Sequence, residues 1–337
     1  MLACAVALLS GCGSGEGEES TQASAKKQVA AEAKPPPERP REVWVTSQGW
    51  ESPADLGILV AEREGFFRKA GLNVWFGSPA KPNRPIEYVT GGTDLLGVTQ
   101  QPEVAIAKEK GAPIVSVGSV VKEPTAAMIW LKKDQIGGIA DLKGKTIGIP
   151  GLQFQQEFLA DILGRAGLTL DDVKVEIMGY DLVPALLNGR ADAIFGGSAN
   201  QEGIELRAHG AQPVITPVEE LGVPPYEELV LIAREDLVEE DPKLIRDFLA
   251  AMTRGVEVAR KNPRLAVKIL KEGGEANPEV SWKEMEAEVK ATLPLLSRTA
   301  YMDPDVADGL LSWMHETGMI EDQPPASDLY ANDYLGR

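Results

Sequence analysis

The 337-residue chain predicts an α/β fold of two lobes, with mostly parallel sheets and a closing run of C-terminal helices. Three features predict it. From Arg41 to about residue 233, short β-branched runs alternate with longer amphipathic stretches, the hydrophobic period switching between strand and helix spacing. Beyond Pro242 the strand signal fades and helical patterns alone remain. The βα units before and after about Glu123 read as two separate sheet systems, with no repeat at fixed period.

Taken in order, residues 1–9 read MLACAVALL, an apolar run too short to cross a bilayer, which takes about 20 residues. It predicts the core of a signal peptide. Leu9-Ser10-Gly11-Cys12 resembles the lipobox of bacterial lipoproteins, which implies cleavage before Cys12 and a lipid on that residue, although no Lys or Arg precedes it. Residues 13–40 are mostly Gly, Ser, Glu, Ala, Lys and Pro, with too little apolar surface to repay ordering. They predict a disordered tether, stiffened by prolines and reaching ~30 Å.

Strands are expected at 43–46, 72–76, 95–98, 114–121, 127–131, 146–149, 173–178, 193–195, 214–216 and 229–233. Helices are expected at 54–67, 102–110, 153–166, 182–188 and 200–209, then at 242–261, 264–272, 282–293 and 304–317. Pro263, Pro278 and Pro304 sit near helix starts, where a missing N–H costs nothing. One lobe is expected to comprise 41–123 plus 232–337 and the other 124–231, with hinges in the extended runs 123–131 and 228–233.

Composition narrows the function. With 34 Lys plus Arg against 51 Asp plus Glu, the net charge is −17 and a nucleic-acid partner is not expected. At 43% hydrophobic residues and a mean hydropathy of −0.14, the chain is too polar for a multi-span membrane protein. Both cysteines, Cys4 and Cys12, precede the folded body, leaving it no thiolate metal ligand or Cys nucleophile. The two histidines, His209 and His315, are too few for a His-rich metal centre, and neither lies in an expected cleft loop. No metal or cofactor is expected.

Several strings carry a family resemblance that spans most of residues 43–335. Residues 57–67, GILVAEREGFF, followed by Ala70-Gly71-Leu72-Asn73-Val74, resemble the opening of the aromatic-sulfonate, nitrate and thiamine-precursor binding proteins. Residues 140–148, ADLKGKTIG, and 183–193, VPALLNGRADA, resemble two further signatures of that superfamily. Residues 196–203, GGSANQEG, and 221–233, LGVPPYEELVLIA, are similar to the branch that binds pyrimidine precursors of thiamine.

The resemblance implies a type II periplasmic-binding-protein fold, and an extracytoplasmic, lipid-anchored monomer that delivers a small molecule to a permease and separate nucleotide-binding subunits of an ABC importer. It implies formylaminopyrimidine or hydroxymethylpyrimidine as cargo, and no enzymatic activity. One position departs from that branch: Ala199 stands where its members carry an aromatic residue. A sulfonate, nitrate or other small heterocycle therefore stays open as cargo. A pyridoxal-phosphate-dependent pyrimidine synthase of similar fold is a more remote alternative.

In open α/β sheets, ligands sit outside the carboxyl ends of the strands. The first expected strand is followed by Gln48, Trp50 and Glu51, the third by Thr99, Gln100 and Gln101, the sixth by Gln153, Phe154 and Gln155, and the eighth by Ser198, Asn200 and Glu202. A heteroaromatic ring needs flat apolar walls and a few amide or carboxylate partners for its edge. Trp50, Phe154 and Tyr226 are the candidate walls. Gln100, Gln101, Gln153 and Asn200 are candidate edge partners that both donate and accept, and Glu202 is the candidate acceptor for an exocyclic amine. Neighbours in an extended segment point oppositely, so one of Gln100 and Gln101 is expected to face the ligand.

Overall fold

The computed structural model describes residues 40–49, 51–77, 84–179, 181–273 and 280–335. The expected leader, Cys12, nearly all of the tether and the candidate Trp50 lie outside the described residues.

The strands are β1 (Arg41–Thr46), β2 (Leu72–Gly77), β3 (Leu96–Thr99), β4 (Ile114–Val121), β5 (Ala126–Leu131), β6 (Thr146–Ile149), β7 (Lys174–Ile177), β8 (Ala193–Ser198), β9 (Pro213–Pro217) and β10 (Leu229–Arg234). They form two sheets, in the orders β2-β1-β3-β10-β4 and β7-β6-β8-β5-β9. Each of the ten expected strand runs falls on one of them.

The helices are α1 (Leu56–Arg63), α2 (Phe66–Lys69), α3 (Pro85–Thr90), α4 (Gln101–Glu109), α5 (Gln153–Arg165), α6 (Leu182–Leu187), α7 (Glu202–Ala208), α8 (Glu235–Glu240), α9 (Pro242–Lys261), α10 (Pro263–Gly273), α11 (Trp282–Thr292) and α12 (Pro304–Glu316). The two that the sequence reading lacks, α3 and α8, have six residues each, too few to display a helical period.

Both sheets are mixed, with four of the five strands running in one direction and one reversed. Within each, three strands are parallel, β2-β1-β3 and β7-β6-β8, and the fourth is antiparallel to both its neighbours: β10 in the first sheet, β5 in the second. The reversed strand is the one that arrives directly from the other sheet, without the helical crossover that keeps successive strands parallel.

The expected boundaries shift for the same reason. β10 lies whole in the first sheet, its Leu229 opposite Val121, so the second crossing precedes residue 229 instead of falling at 231/232. The runs expected to be hinges are largely strands, β5 held between β8 and β9 and β10 between β3 and β4. The links between sheets are 122–125 and 222–228.

Strand alternation splits each half into two apolar layers. In β10, Leu231 and Ala233 join the core beneath α1, α9, α10 and α11, while Val230 and Ile232 face Val89 of α3 and Val104 of α4. Helix α9 docks its stripe of Leu244, Ile245, Phe248, Met252 and Val256 on the first core, starting from an Asp241 side chain that accepts the Leu244 N–H at 3.1 Å. A Cβ at Gly255 would lie 2.1 Å from the carbonyl oxygen of Gly57, so these two glycines let α1 and α9 touch backbone to backbone.

The C-terminal helices do not all belong to the first half. Leu310, Leu311, Trp313 and Met314 of α12, with Ile320, Ala326 and Leu329, pack into the core of the second sheet alongside Trp130 and Phe158. Periodicity shows that α12 buries one face, but not which sheet receives it.

Candidate binding cleft

Between the two sheets lies a cleft of about 290 Å³, at the lower end of the size range of small-molecule sites. Its walls come from loops at the carboxyl ends of β1, β3, β6 and β8, from the links near Thr125 and Glu228, and from one face of α11.

The first half contributes amides. Gln48 and Gln100 bond each other reciprocally, Gln100 Nε2 donating to Gln48 Oε1 at 2.8 Å while Gln48 Nε2 donates back to Gln100 Oε1. The pairing fixes both side chains at the cleft edge. Gln101, the first residue of α4, is turned away, and its Oε1 accepts the Glu227 N–H at 2.8 Å.

The second half contributes rings and a carboxylate. Phe154, Phe158 and Phe195 line the cleft, Phe154 meeting Phe158 edge to face at 4.8 Å between ring centres. Behind them Tyr226 is fully buried, packed on Phe158 at 5.9 Å with its hydroxyl toward Glu228. Tyr226 braces the aromatic wall from the core side and does not line the cleft, contrary to its expected role. Gln153 also departs: as the first residue of α5 it faces solvent.

Glu202 opens α7 and accepts from the backbone N–H of Ser198 at 2.7 Å and from its hydroxyl at 2.8 Å. Asn200, two residues earlier, crosses to the other half, its Nδ2 donating to Thr292 Oγ1 of α11 at 2.7 Å. Asn200 is 9% exposed and its Oδ1, buried at the cleft, has no partner. The cleft thus brings together Gln100, Phe154, Asn200 and Glu202, and leaves out Gln101, Gln153 and Tyr226.

Two features decide the electrostatics. Among the described residues the lining includes no Lys, Arg or His, but five glutamates: Glu51, Glu202, Glu205, Glu228 and Glu288. The backbone donors an anion would use are also taken. Ser198 N–H donates to Glu202 Oε2 at 2.7 Å, and Thr125 N–H donates to Glu228 Oε2 at 2.6 Å.

Burial sets the protonation of this lining. Glu288, on the cleft face of α11, is pushed up to about 8, first by loss of water and then by repulsion from Glu205, Glu202 and Glu284, with Lys271 pulling the other way. Burial likewise raises Glu228, against the N–H groups of Thr125 and Ala126. Beside it, Glu227 is pushed up to about 7 by burial, while the Ser119 hydroxyl and a backbone N–H at Asp303 favour its ionised form. Glu228 and Glu288 escaped the sequence reading because one ends a link and the other lies mid-helix. The only cue to Glu288 is a carboxylate on an otherwise apolar helical stripe with Met285, Val289 and Thr292.

The profile of the NMT1/THI5-like family matches residues 52–266. The chain belongs to that family. It is 30% identical over 281 residues to the formylaminopyrimidine-binding protein of Halalkalibacterium halodurans, an alignment covering 82% of this chain and 85% of that one. It is 26% identical to the 4-amino-5-hydroxymethyl-2-methylpyrimidine phosphate synthase of Legionella pneumophila, covering 85% and 90% of the two chains. Among solved structures, the periplasmic aliphatic sulphonate binding protein of Escherichia coli superposes with a TM-score of 0.68 at 15% identity, over 88% of this chain and 94% of that one. The fold is that of the periplasmic binding proteins, as the string resemblances imply.

Proposed function

We propose that this chain is the extracytoplasmic solute-binding component of an ABC importer and that it captures a pyrimidine precursor of thiamine, of the formylaminopyrimidine or hydroxymethylpyrimidine class. The observation that carries the reading is the make-up of the cleft: an aromatic wall facing amides and carboxylates, with no cationic side chain among the described lining residues. A neutral or cationic heteroaromatic amine finds stacking surface and acceptors there. A sulfonate or nitrate finds carboxylates, with the Ser198 and Thr125 N–H groups already bonded to them.

In this reading Phe154 and Phe158 face the ring, Glu202 accepts from the exocyclic amine, and Gln100 and Asn200 fix its edge. The two sheet-bearing halves close on the ligand about the links at 122–125 and 222–228. Binding, not synthesis, is the role the site supports, because the described lining offers neither a Lys for a Schiff base nor a His for proton transfer. A lipid on Cys12 would hold the protein at the outer face of the membrane, as a monomer docking on its permease.

Calorimetric titration with formylaminopyrimidine, hydroxymethylpyrimidine, thiamine and an alkanesulfonate tests the reading. The expected result is saturable binding of a pyrimidine that Glu202→Ala weakens strongly. Binding of the sulfonate with none of the pyrimidines would sink it.

A further inference from the structure

The seam between α7 and α11 holds more acid than a fold needs. Glu202 and Glu205 approach it from α7, and Glu284 and Glu288 from α11. Lys271 of α10 faces it, as does the turn that follows β1, with Glu51 and Asp55. His209, at the end of α7, bears on Glu284 from the seam's outer edge.

Glu288 is 5% exposed and lines the cleft. A buried carboxylate among like charges is costly, and the surroundings keep the Glu288 carboxyl protonated at neutral pH, its pKa near 8. As a neutral acid it is a hydrogen-bond donor that the cleft can present to a ring nitrogen at that pH.

A second observation points to a ligand independently. Thr292 lies one turn along α11 from Glu288 and anchors Asn200, whose unpartnered Oδ1 is buried in the same cleft lining as Glu288. A donor and an acceptor thus belong to one lining. The complementary ligand edge is a ring nitrogen next to an exocyclic amino group, the first accepting and the second donating.

We propose that Glu288 is a specificity-determining residue that gives its proton to the ring nitrogen of the bound base, while Asn200 Oδ1 and Glu202 accept from the adjacent exocyclic amine. This rests on the reading of the cleft as a receptor for aminopyrimidines. The step is balanced within the site: the Glu288 O–H bond yields its proton to the ring nitrogen, and a neutral acid and neutral base become a carboxylate and a pyrimidinium held in contact. Below pH 8 no proton is exchanged with solvent. Above it the free protein has lost that proton, and binding must recover one.

The test is titration of the full protein with hydroxymethylpyrimidine from pH 6 to 10, in paired buffers of different ionisation enthalpy, for wild type and Glu288→Gln. The wild-type affinity should fall about tenfold per pH unit above pH 8, with uptake of one proton at pH 9 and none at pH 7. Glu288→Gln keeps a hydrogen-bond donor but cannot yield a proton, so its binding at pH 7 should be weaker than wild type by about tenfold or more. Its alkaline limb and its proton uptake should vanish. A replacement of ring nitrogen by C–H should weaken wild-type binding about tenfold or more.

A pyrimidine that binds with the same pH profile and proton uptake in both proteins overturns this role for Glu288 and leaves the proposed function standing. Failure of every pyrimidine to bind overturns both.

Discussion

The two sheets share a strand pattern, three parallel strands followed by a reversed one and an edge, yet they furnish opposite walls of the cleft. The second half presents rings, Phe154, Phe158 and Phe195, that are continuous with its buried core. The first half, with α11, presents Gln48, Gln100, Glu51 and Glu288, and Glu202 and Glu205 reach the same cleft from α7 of the second half. The aromatic wall favours folding, because its side chains bury apolar area with or without a ligand. The acidic wall opposes folding, since burial raises its carboxyls and like charges meet across the seam.

Removing a ring of the aromatic wall and neutralising Glu288 should therefore act with opposite sign on stability. The largest effect is expected for Phe158→Ala: the ring is 1% exposed and touches Phe154, Tyr226 and Trp313, so removal should cost about 3–5 kcal/mol in urea unfolding. A loss under about 1 kcal/mol would mean the wall is not part of the core.

Glu288→Gln should move the other way at alkaline pH. The folded-state value of about 8 lies above the ordinary 4.5, so the folded protein holds more protons than the unfolded chain between those limits. This group's contribution to stability is fully present below pH 4.5, is lost as pH rises to about 8, and is flat beyond. The variant escapes that loss, so its melting temperature relative to wild type should be higher at pH 9 than at pH 5. An offset that is the same at both would show that Glu288 does not titrate with folding.

Glu202→Gln should leave folding nearly intact and weaken pyrimidine binding by about 1.5–3 kcal/mol, the usual worth of a hydrogen bond to a charged group. Calorimetry at pH 7 reads it directly. The smallest effect is expected for Gln100→Ala. It breaks the reciprocal pair with Gln48 and should cost about 0.5–1.5 kcal/mol in stability, with a modest loss of affinity. An unchanged protein would mean the pair is decorative.

Local pattern carried much of this. The β-branched runs located all ten strands because alternation and flanking turns are properties of a few consecutive residues. Loops after parallel strands pointed to Gln100, Phe154, Asn200 and Glu202 because a parallel sheet collects its carboxyl ends on one edge. Tyr226 misled: a tyrosine after two prolines reads equally as a wall or a brace, and only the position of Phe158 in front of it settles which. Gln153 misled because the first residue of a helix points according to how that helix is rotated on its sheet.

The sequence by itself determined the alternation of elements, the family, and the absence of thiol chemistry from the folded body, since all are written in neighbouring residues or in composition. Tertiary structure alone decided that β5 and β10 run against their neighbours, that α12 closes the second core, and that Glu288, Glu202, Glu205 and Asn200 line one cleft. The physical reason is common to all three. Period and propensity fix which face of an element is apolar, whereas the partner of that face, and the charges it gathers from distant segments, exist only once the chain has closed on itself.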